Sequence, residues 1–160
     1  MRATIRRPEE ILAYRSLIEI LGPNARKIWS VTPSDSVRVT AQLMAENDIG
    51  FVVVTDNEKL VGVLSERDCV RNMGKSGQSL EIPVAQIMVR DVVTVGLQST
   101  FADCLRLMHT HRIRHLPVMQ GTRVMAVISV RDLLGEATEH HKKIIDELER
   151  ERLSIFTSMA

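Results

Sequence analysis

The stretch that decides the fold occurs twice, as WSVTPSDSVRVTAQLMAENDIGFVVVTDNEKLVGVLSERD at residues 29–68 and as VTVGLQSTFADCLRLMHTHRIRHLPVMQGTRVMAVISVRD at residues 93–132. The two copies align without a gap at an offset of 64 residues and share nine identical positions, most of them apolar. A repeat this short rarely buries its own apolar face, so the copies are expected to pack against each other and to form one domain.

Each copy predicts the element order β-α-β-β-α, from the spacing of its apolar residues and from its turn residues. In the first copy we expect a helix over 37–46, strands over 51–55 and 60–64, and a second helix from Ser65 to about Gly74. In the second copy we expect a strand over 92–95, a helix over 100–109, strands over 115–119 and 123–129, and a helix from Val130.

The segments outside the repeat are predicted to be helical. Pro8 with Glu9 and Glu10 suits a helix start, and Gly22-Pro23 suits its end. The chain therefore divides into an N-terminal helix (1–24), repeat one (25–74), a polar linker (75–83), repeat two (84–135) and a C-terminal helix (136–160). The last helix carries a narrow apolar seam suited to another helix, made by Leu134, Ala137, His141, Ile144 and Leu148.

Composition limits the kinds of function. The 160 residues are 44% hydrophobic, enough for one sizeable core, and 21 Lys plus Arg against 20 Asp plus Glu give no basic excess for nucleic acid. The apolar runs are strand-sized, far below the roughly 18 residues that span a bilayer. Cys69 and Cys104 fit neither a disulfide framework nor a metal-ligand spacing, so a reducing, cytoplasmic setting is expected. Acidic residues soon follow the arginine-rich start, which we interpret as mature sequence.

Both copies end in Ser-x-Arg-Asp, as Ser65, Arg67 and Asp68 and again as Ser129, Arg131 and Asp132. A Ser followed three residues later by an acid is the capping box, in which both side chains satisfy backbone N–H groups at a helix start. The same helix start could instead bind a ligand, with the Ser, the Arg and the N–H groups on phosphate and the Asp on ribose hydroxyls.

Two observations favour the ligand over the cap alone. An arginine stands between Ser and Asp in both copies although a cap does not need it, and Arg71 lies one turn beyond Arg67. The hypothesis requires the carboxylates of Asp68 and Asp132 to face a groove between the copies rather than to fold back onto their own main chain.

The repeated unit, the strand Arg114-His115-Leu116-Pro117-Val118 and the strand that runs into Ser-x-Arg-Asp resemble the cystathionine-β-synthase-type (CBS) domain, here as a tandem pair over about Ala25 to Gly135. The resemblance implies an α+β fold in which two β-α-β-β-α repeats pack about a pseudo-twofold axis. It also implies two symmetric clefts that bind AMP, ADP, ATP, NAD(H) or a related adenosyl compound, with no catalytic cofactor.

In this family each cleft takes its ribose-phosphate motif from one copy and its base-contacting strands from the other. By resemblance, cleft one would contain Ser65, Arg67, Asp68, Thr94, Arg114, His115, Leu116 and Pro117, with Arg71 as an extra phosphate contact. Cleft two would contain Ser129, Arg131, Asp132, Ser30, Val31, Gly50, Phe51 and Val52. Val53 stands where the family pattern has a proline, and Gly62 is matched by Ala126, so cleft two departs further from the pattern.

Other functions are less well supported by the sequence. His109, His111 and His115 could suggest a metal site, but the first two do not share a helical face and no acid or cysteine completes the set. An enzyme would need a base beside Ser65 or Ser129, and neither His nor Lys recurs at equivalent positions in both copies. The prediction is therefore a non-catalytic nucleotide sensor that forms a homodimer and signals to a protein target. The alternative is a scaffold whose clefts are vestigial and whose Ser and Asp are caps only.

Overall fold

The computed structural model describes residues 14, 16–22, 27–75 and 79–158. The helices are α1 (Leu17–Leu21), α2 (Val37–Glu46), α3 (Glu66–Met73), α4 (Phe101–His111) and α5 (Val130–Ser158), with a single 3-10 turn at Val84–Gln86 among these residues. The strands are β1 (Ser30–Val31), β2 (Phe51–Asp56), β3 (Lys59–Ser65), β4 (Val95–Gly96), β5 (His115–Gln120) and β6 (Arg123–Ser129). The predicted β-α-β-β-α order is confirmed in both repeats.

Each repeat builds one three-stranded sheet, in the orders β1-β2-β3 and β4-β5-β6. The first two strands of each sheet run parallel and the last two form an antiparallel hairpin. In the first hairpin Asn57 and Glu58 both have positive φ, as a two-residue turn between twisted strands requires. Each hairpin shifts register at the equivalent place, after Val54 and after Val118. The two sequence repeats therefore have the same structure, including the register shift in each hairpin.

The two cores exchange their flanking segments. Leu17 of α1, which precedes repeat one, is fully buried in the core of repeat two together with Phe101 and Leu116. Val84 and Met88, which the sequence analysis placed at the start of repeat two, are buried in the core of repeat one. By packing, this segment belongs to repeat one, and the exchange ties the two halves into one body.

Equivalent residues of the two copies meet in the middle of the molecule. The rings of Phe51 and His115, which occupy the same position in their repeats, stack at a centroid distance of 4.8 Å and an interplanar angle of 16°. Strands β3 and β6, also equivalent, contact each other. Contacts of this kind arise only near a twofold relation, so the pseudo-twofold arrangement expected from the family resemblance is confirmed.

The terminal helices differ in part from the sequence prediction. The N-terminal helix was expected to start near Pro8, which lies outside the described residues; its described part begins at Leu17 after the Ser16 N-cap. The predicted strand over 92–95 is shorter and later, at Val95–Gly96. The C-terminal helix is not a separate element but continues α5 without a break from Val130 to Ser158.

The predicted seam on the C-terminal helix is exposed only in part. Ala137 packs against the core of repeat two and Ile144 is half-buried, so neither belongs to an exposed stripe. The neighbouring Ile145 is exposed instead, together with Leu148 and Ile155.

None of the helices in the described part of the chain combines the length and the apolar character that crossing a bilayer would take.

Candidate functional site

The Ser and Asp of both motifs form capping boxes. At the start of α5, the Ser129 amide and hydroxyl both donate to Asp132 Oδ2, at 2.8 and 2.6 Å, and the Asp132 amide donates to Ser129 Oγ at 3.2 Å. At the start of α3, the Ser65 amide donates to Asp68 Oδ2 at 3.0 Å, and the Ser65 hydroxyl donates to the same oxygen. The carboxylates thus fold back onto their own main chain, contrary to the geometry that the ligand hypothesis required, and the cap alone accounts for the Ser and the Asp.

A cavity of about 630 Å³ lies at cleft two, between the start of α5 and the helices of repeat one. Both repeats line it, with Lys27, Trp29, Ala41, Met44, Ala45, Asp48, Ile49, Gly50, Phe51, Glu66, Cys69, Val70 and Met73 from the first and Arg114, His115, Val127, Ser129, Val130, Arg131 and Asp132 from the second. Its volume is in the range of small-molecule sites, roughly 300 to 1,000 Å³.

Five of the eight residues predicted for cleft two line this cavity: Ser129, Arg131, Asp132, Gly50 and Phe51. The other three do not. Val31 and Val52 are buried in the core of repeat one, and Ser30 is exposed on the short strand β1. Their side chains stabilise or flank the sheet, so a contact from these positions to a ligand would have to come from the backbone.

The cavity has flat apolar walls and cationic groups beside them. The Lys27 ammonium lies 3.6 Å from the centre of the Trp29 ring, and Phe51 carries the stacked His115 ring. Arg131 lies in the first turn of α5, where its charge opposes the helix dipole. A cation at this position destabilises the helix by a few tenths of a kcal/mol to about 1 kcal/mol. Helix stability therefore does not explain why an arginine occupies it.

Several residues that line the cavity were not predicted from the sequence. Lys27 and Asp48 lie in loops, and Glu66 forms an ion pair with Arg114 across the two repeats, Oε1 to Nη2 at 3.5 Å. Ala41 and Ala45 stand four apart on α2, a spacing of small residues that could have marked the cavity wall in advance. The loop residues carried no such signal.

Cleft one is built differently. Arg67 reaches across it, with Nη1 donating to the Arg112 carbonyl oxygen at 3.4 Å. The hollow beside this contact is lined by Met108, His109, Thr110, Arg112, Ile113 and Arg114, so Arg114 is the one residue predicted for cleft one that lines it. Arg114 and His115 also line the cavity of cleft two.

The remaining residues predicted for cleft one are dispersed. Leu116 is fully buried in the core of repeat two and Pro117 is buried beside it, whereas Thr94 is exposed before β4. Arg71 is exposed in the last turn of α3 and lines neither hollow. The structure therefore brings the predicted residues together at cleft two and not at cleft one.

The cavity wall shifts the pKa of two groups. Burial, and then the charge of Arg114, lower the pKa of His115, although Asp132 and Glu66 act in the opposite direction. Burial, and then the charge of Asp68, raise the pKa of the Cys69 thiol. At neutral pH the wall beside Phe51 is thus an uncharged imidazole, which suits stacking against a base.

The histidines do not form a metal centre. His109 and His111 are exposed on α4, whereas His115 stacks on Phe51. Within residues 14, 16–22, 27–75 and 79–158, no three His, Cys, Asp or Glu side chains are grouped so as to hold a metal ion.

Comparison with known proteins agrees with this architecture. The family model described as the CBS domain matches residues 23–75 and again residues 84–139. The chain belongs to the CBS-domain family and carries the domain twice. The two matches correspond to the two repeats whose equivalent residues meet at Phe51 and His115.

Among the relatives, the protein MJ1232 of Methanocaldococcus jannaschii is 30% identical over 130 residues, which are 74% of this chain and 43% of that protein. The chain thus spans less than half the length of this relative. The crystal structure of the CBS-domain containing protein ATU1752 from Agrobacterium tumefaciens is 30% identical, with a TM-score of 0.71 over 76% of this chain and 98% of that one.

A third comparison concerns a protein with a bound ligand. The CBS domain protein PAE2072 from Pyrobaculum aerophilum, solved in complex with AMP, is 27% identical and has a TM-score of 0.67 over 78% of this chain and 99% of that chain. A CBS pair of similar extent therefore binds an adenine nucleotide in that protein.

Proposed function

We propose that this protein is a regulatory adenine-nucleotide sensor, which binds AMP, ADP, ATP or NAD(H) in cleft two and signals by a change in conformation. The observation that carries the proposal is the cavity of about 630 Å³ that both repeats line, with Arg131 at one helix start and Trp29 and Phe51 in its walls. The AMP complex of PAE2072 supports the ligand class.

The proposed roles follow from the chemistry of the lining residues. Trp29 and Phe51 present flat apolar surfaces for the base, and Arg131 and Lys27 present cations for phosphate. Asp132 lines the cavity, but its Oδ2 accepts both hydrogen bonds from Ser129, so the proposal assigns this carboxylate to the helix cap and not to a ribose.

In this proposal helix α5 transmits the conformational change from the bound nucleotide to a protein target. This helix begins at the cavity with Val130 and extends over 29 residues. A ligand that touches both repeats favours one relative arrangement only to the extent that it binds that arrangement more tightly. We further propose that the protein forms a homodimer in the cytoplasm and that α5 contacts an unidentified protein target. In this proposal the protein catalyses no reaction.

One observation favours a second candidate, a scaffold with vestigial clefts. Both Ser-Asp pairs are fully explained as capping boxes, as that candidate expects. A scaffold with vestigial clefts does not explain Arg131 or the lining of cleft two, so we rank this candidate second.

The test is calorimetry with AMP, ADP, ATP, NAD⁺ and NADH, one at a time, with the fluorescence of Trp29 recorded in parallel. Trp29 is the single tryptophan of the chain and lines cleft two, so a nucleotide bound there should change its emission. Heat with one equivalent of nucleotide and a change in emission support the sensor. No heat with any of the five favours the scaffold, and chromatographic detection of a converted nucleotide would contradict the absence of catalysis.

A further inference from the structure

The lining of cleft two carries as many acids as cations. Three positive and three negative side chains line it: Lys27, Arg114, Arg131, Asp48, Glu66 and Asp132. The imidazole of His115, whose pKa burial lowers, adds no charge at neutral pH. AMP carries about two negative charges at neutral pH, and each further phosphate adds about one. A lining without an excess of cations therefore does not reward every phosphate that a ligand adds.

Glu66 is held at the wall of this cavity by contacts with both repeats. Its amide donates to the Gly50 carbonyl oxygen at 3.1 Å, and a Cβ on Gly50 would lie 2.9 Å from the Glu66 carboxyl group. The acidic side chain thus packs directly on the glycine. Its Oε1 lies 3.5 Å from Nη2 of Arg114, which belongs to repeat two. The carboxylate therefore neutralises a cation of the cavity that would otherwise be open to a phosphate.

The fold does not require this ion pair. In repeat two the equivalent backbone hydrogen bond runs from the Val130 amide to the Arg114 carbonyl oxygen at 2.9 Å. Val130 there takes the place of Glu66, so this helix start forms without an acid. The side chains of Arg114 and Glu66 are 55% and 62% exposed, and ion pairs that are so exposed contribute little to stability. The position of Glu66 in the cavity is thus better explained by an effect on the ligand.

We propose that Glu66 limits the number of phosphates on the ligand of cleft two, so that the site prefers AMP to ADP and ATP. The inference rests on the proposed function, because it concerns the nucleotide bound there. Arg131, in the first turn of α5, remains as the cation for one phosphate. A second or third phosphate has to compete with Glu66 for Arg114 and is repelled by the carboxylate.

The experiment measures the affinities of AMP, ADP and ATP for the full chain by calorimetry. The buffer contains no divalent cations, because these bind to the phosphates. The unmodified chain should bind AMP at least about 10-fold more tightly than ATP. Glu66→Gln removes the charge and releases Arg114, so it should lower the ratio of the dissociation constants of ATP and AMP by about 10-fold. Tighter binding of ATP than of AMP by the unmodified chain, or an unchanged ratio in the variant, would overturn the inference.

Two control variants separate the ion pair from the general charge of the cavity. Asp48→Asn removes one negative charge from the same lining but leaves Glu66 on Arg114, so the ratio should change by less than about threefold. Asparagine also tolerates the positive φ of this position. Glu58→Gln, in the first hairpin turn and outside the cavity lining, should leave the ratio unchanged.

The outcomes distinguish this inference from the proposed function. A shift with Asp48→Asn as large as that with Glu66→Gln would overturn the assignment to Glu66 while the sensor stands. Binding of AMP with a ratio that does not respond to Glu66→Gln has the same meaning. If none of the three nucleotides binds, the proposed nucleotide site fails and this inference fails with it.

Discussion

The two clefts come from the same sequence repeat, yet the residues at equivalent positions of the repeats differ in size. Ala41, Ala45 and Gly50 line cleft two, and their counterparts 64 residues later are Leu105, His109 and Arg114. A cavity between both repeats lies beside the small residues, whereas at the large ones Arg67 contacts the Arg112 carbonyl. The hollow at cleft one has a similar volume, about 670 Å³, but repeat two alone lines it. The difference teaches that the motif positions a helix start, and that the opposing wall decides whether both repeats line the space beside it.

The largest expected effect comes from replacing small residues beside cleft two by the larger residues that occupy the equivalent positions of repeat two. We expect the double variant Ala41→Leu/Ala45→His to lower nucleotide affinity by about 3 kcal/mol, roughly 100-fold, because each side chain overfills the site at about 1 to 3 kcal/mol. Titration calorimetry measures it. The fold should tolerate the change, because α4 already has Leu and His at these positions. An affinity equal to that of the unmodified chain would show that the ligand lies elsewhere.

The reverse variant, Leu105→Ala/His109→Ala, is the complementary experiment at cleft one. Truncating His109, which lines the hollow at cleft one, and Leu105, one helical turn before it, should enlarge that hollow and raise the number of nucleotides bound per chain, while cleft two keeps its affinity. An unchanged stoichiometry would mean that the Arg67 contact, and not the bulk of α4, limits cleft one.

The second effect concerns the two equivalent arginines. Arg131→Ala should weaken nucleotide binding by about 1.5 to 3 kcal/mol, roughly 10- to 100-fold, the scale for a hydrogen bond to a charged group. Arg67→Ala should change it by less than about twofold, because a residue outside the occupied cleft acts only indirectly. Calorimetry on the two variants compares the clefts directly. Equal losses in both would contradict the assignment of the ligand to cleft two.

Much of the fold could be predicted because its signals are local. Helix α2 was expected over 37–46 and spans Val37–Glu46, since its capping residue Ser36 precedes a helical pattern of apolar residues. The hairpins were found from alternating apolar residues and short turns. The exchange of Leu17 and Val84 between the cores could not be predicted, because nothing in those segments indicates which of two similar cores they enter.

The site was predicted in part for the same reason. Arg131 and Asp132 belong to a repeated motif and were identified, although the motif does not tell a cap from a ligand site. Lys27 was missed because a loop residue reaches the cavity only through tertiary structure. Val31 and Val52 came from the family resemblance; their side chains are buried in the core, so a contact of their backbone groups with a base stays a prediction.

The third effect tests the difference between the two repeats in their frameworks. At Gly62 a Cβ would lie 2.8 Å from Met88 Sδ and 3.1 Å from the Val89 carbonyl oxygen, so Gly62→Ala should destabilise the fold by about 1 to 3 kcal/mol through overpacking. Chemical denaturation measures it. The comparison variant is Ala126→Gly at the equivalent strand position, which should cost about 1 to 2 kcal/mol through backbone entropy and the loss of a buried methyl group. If Gly62→Ala is neutral, the segment from Val84 to Val89 does not pack as tightly on repeat one as the structure shows.

The smallest effect distinguishes the two members of the central stack, Phe51 and His115. Burial lowers the pKa of His115, so the unfolded chain binds a proton that the folded chain resists. The resulting stability is present above the unfolded pKa of about 6.5 and is lost as the pH falls below that value. His115→Phe, which makes the stack symmetric, should remove this part of the pH dependence while it retains the ring contact. Denaturation curves at several pH values between about 5 and 8, for the unmodified chain and the variant, give the difference. If both chains lose stability equally on acidification, the pH dependence arises from other groups, and the imidazole of His115 is not the group that responds.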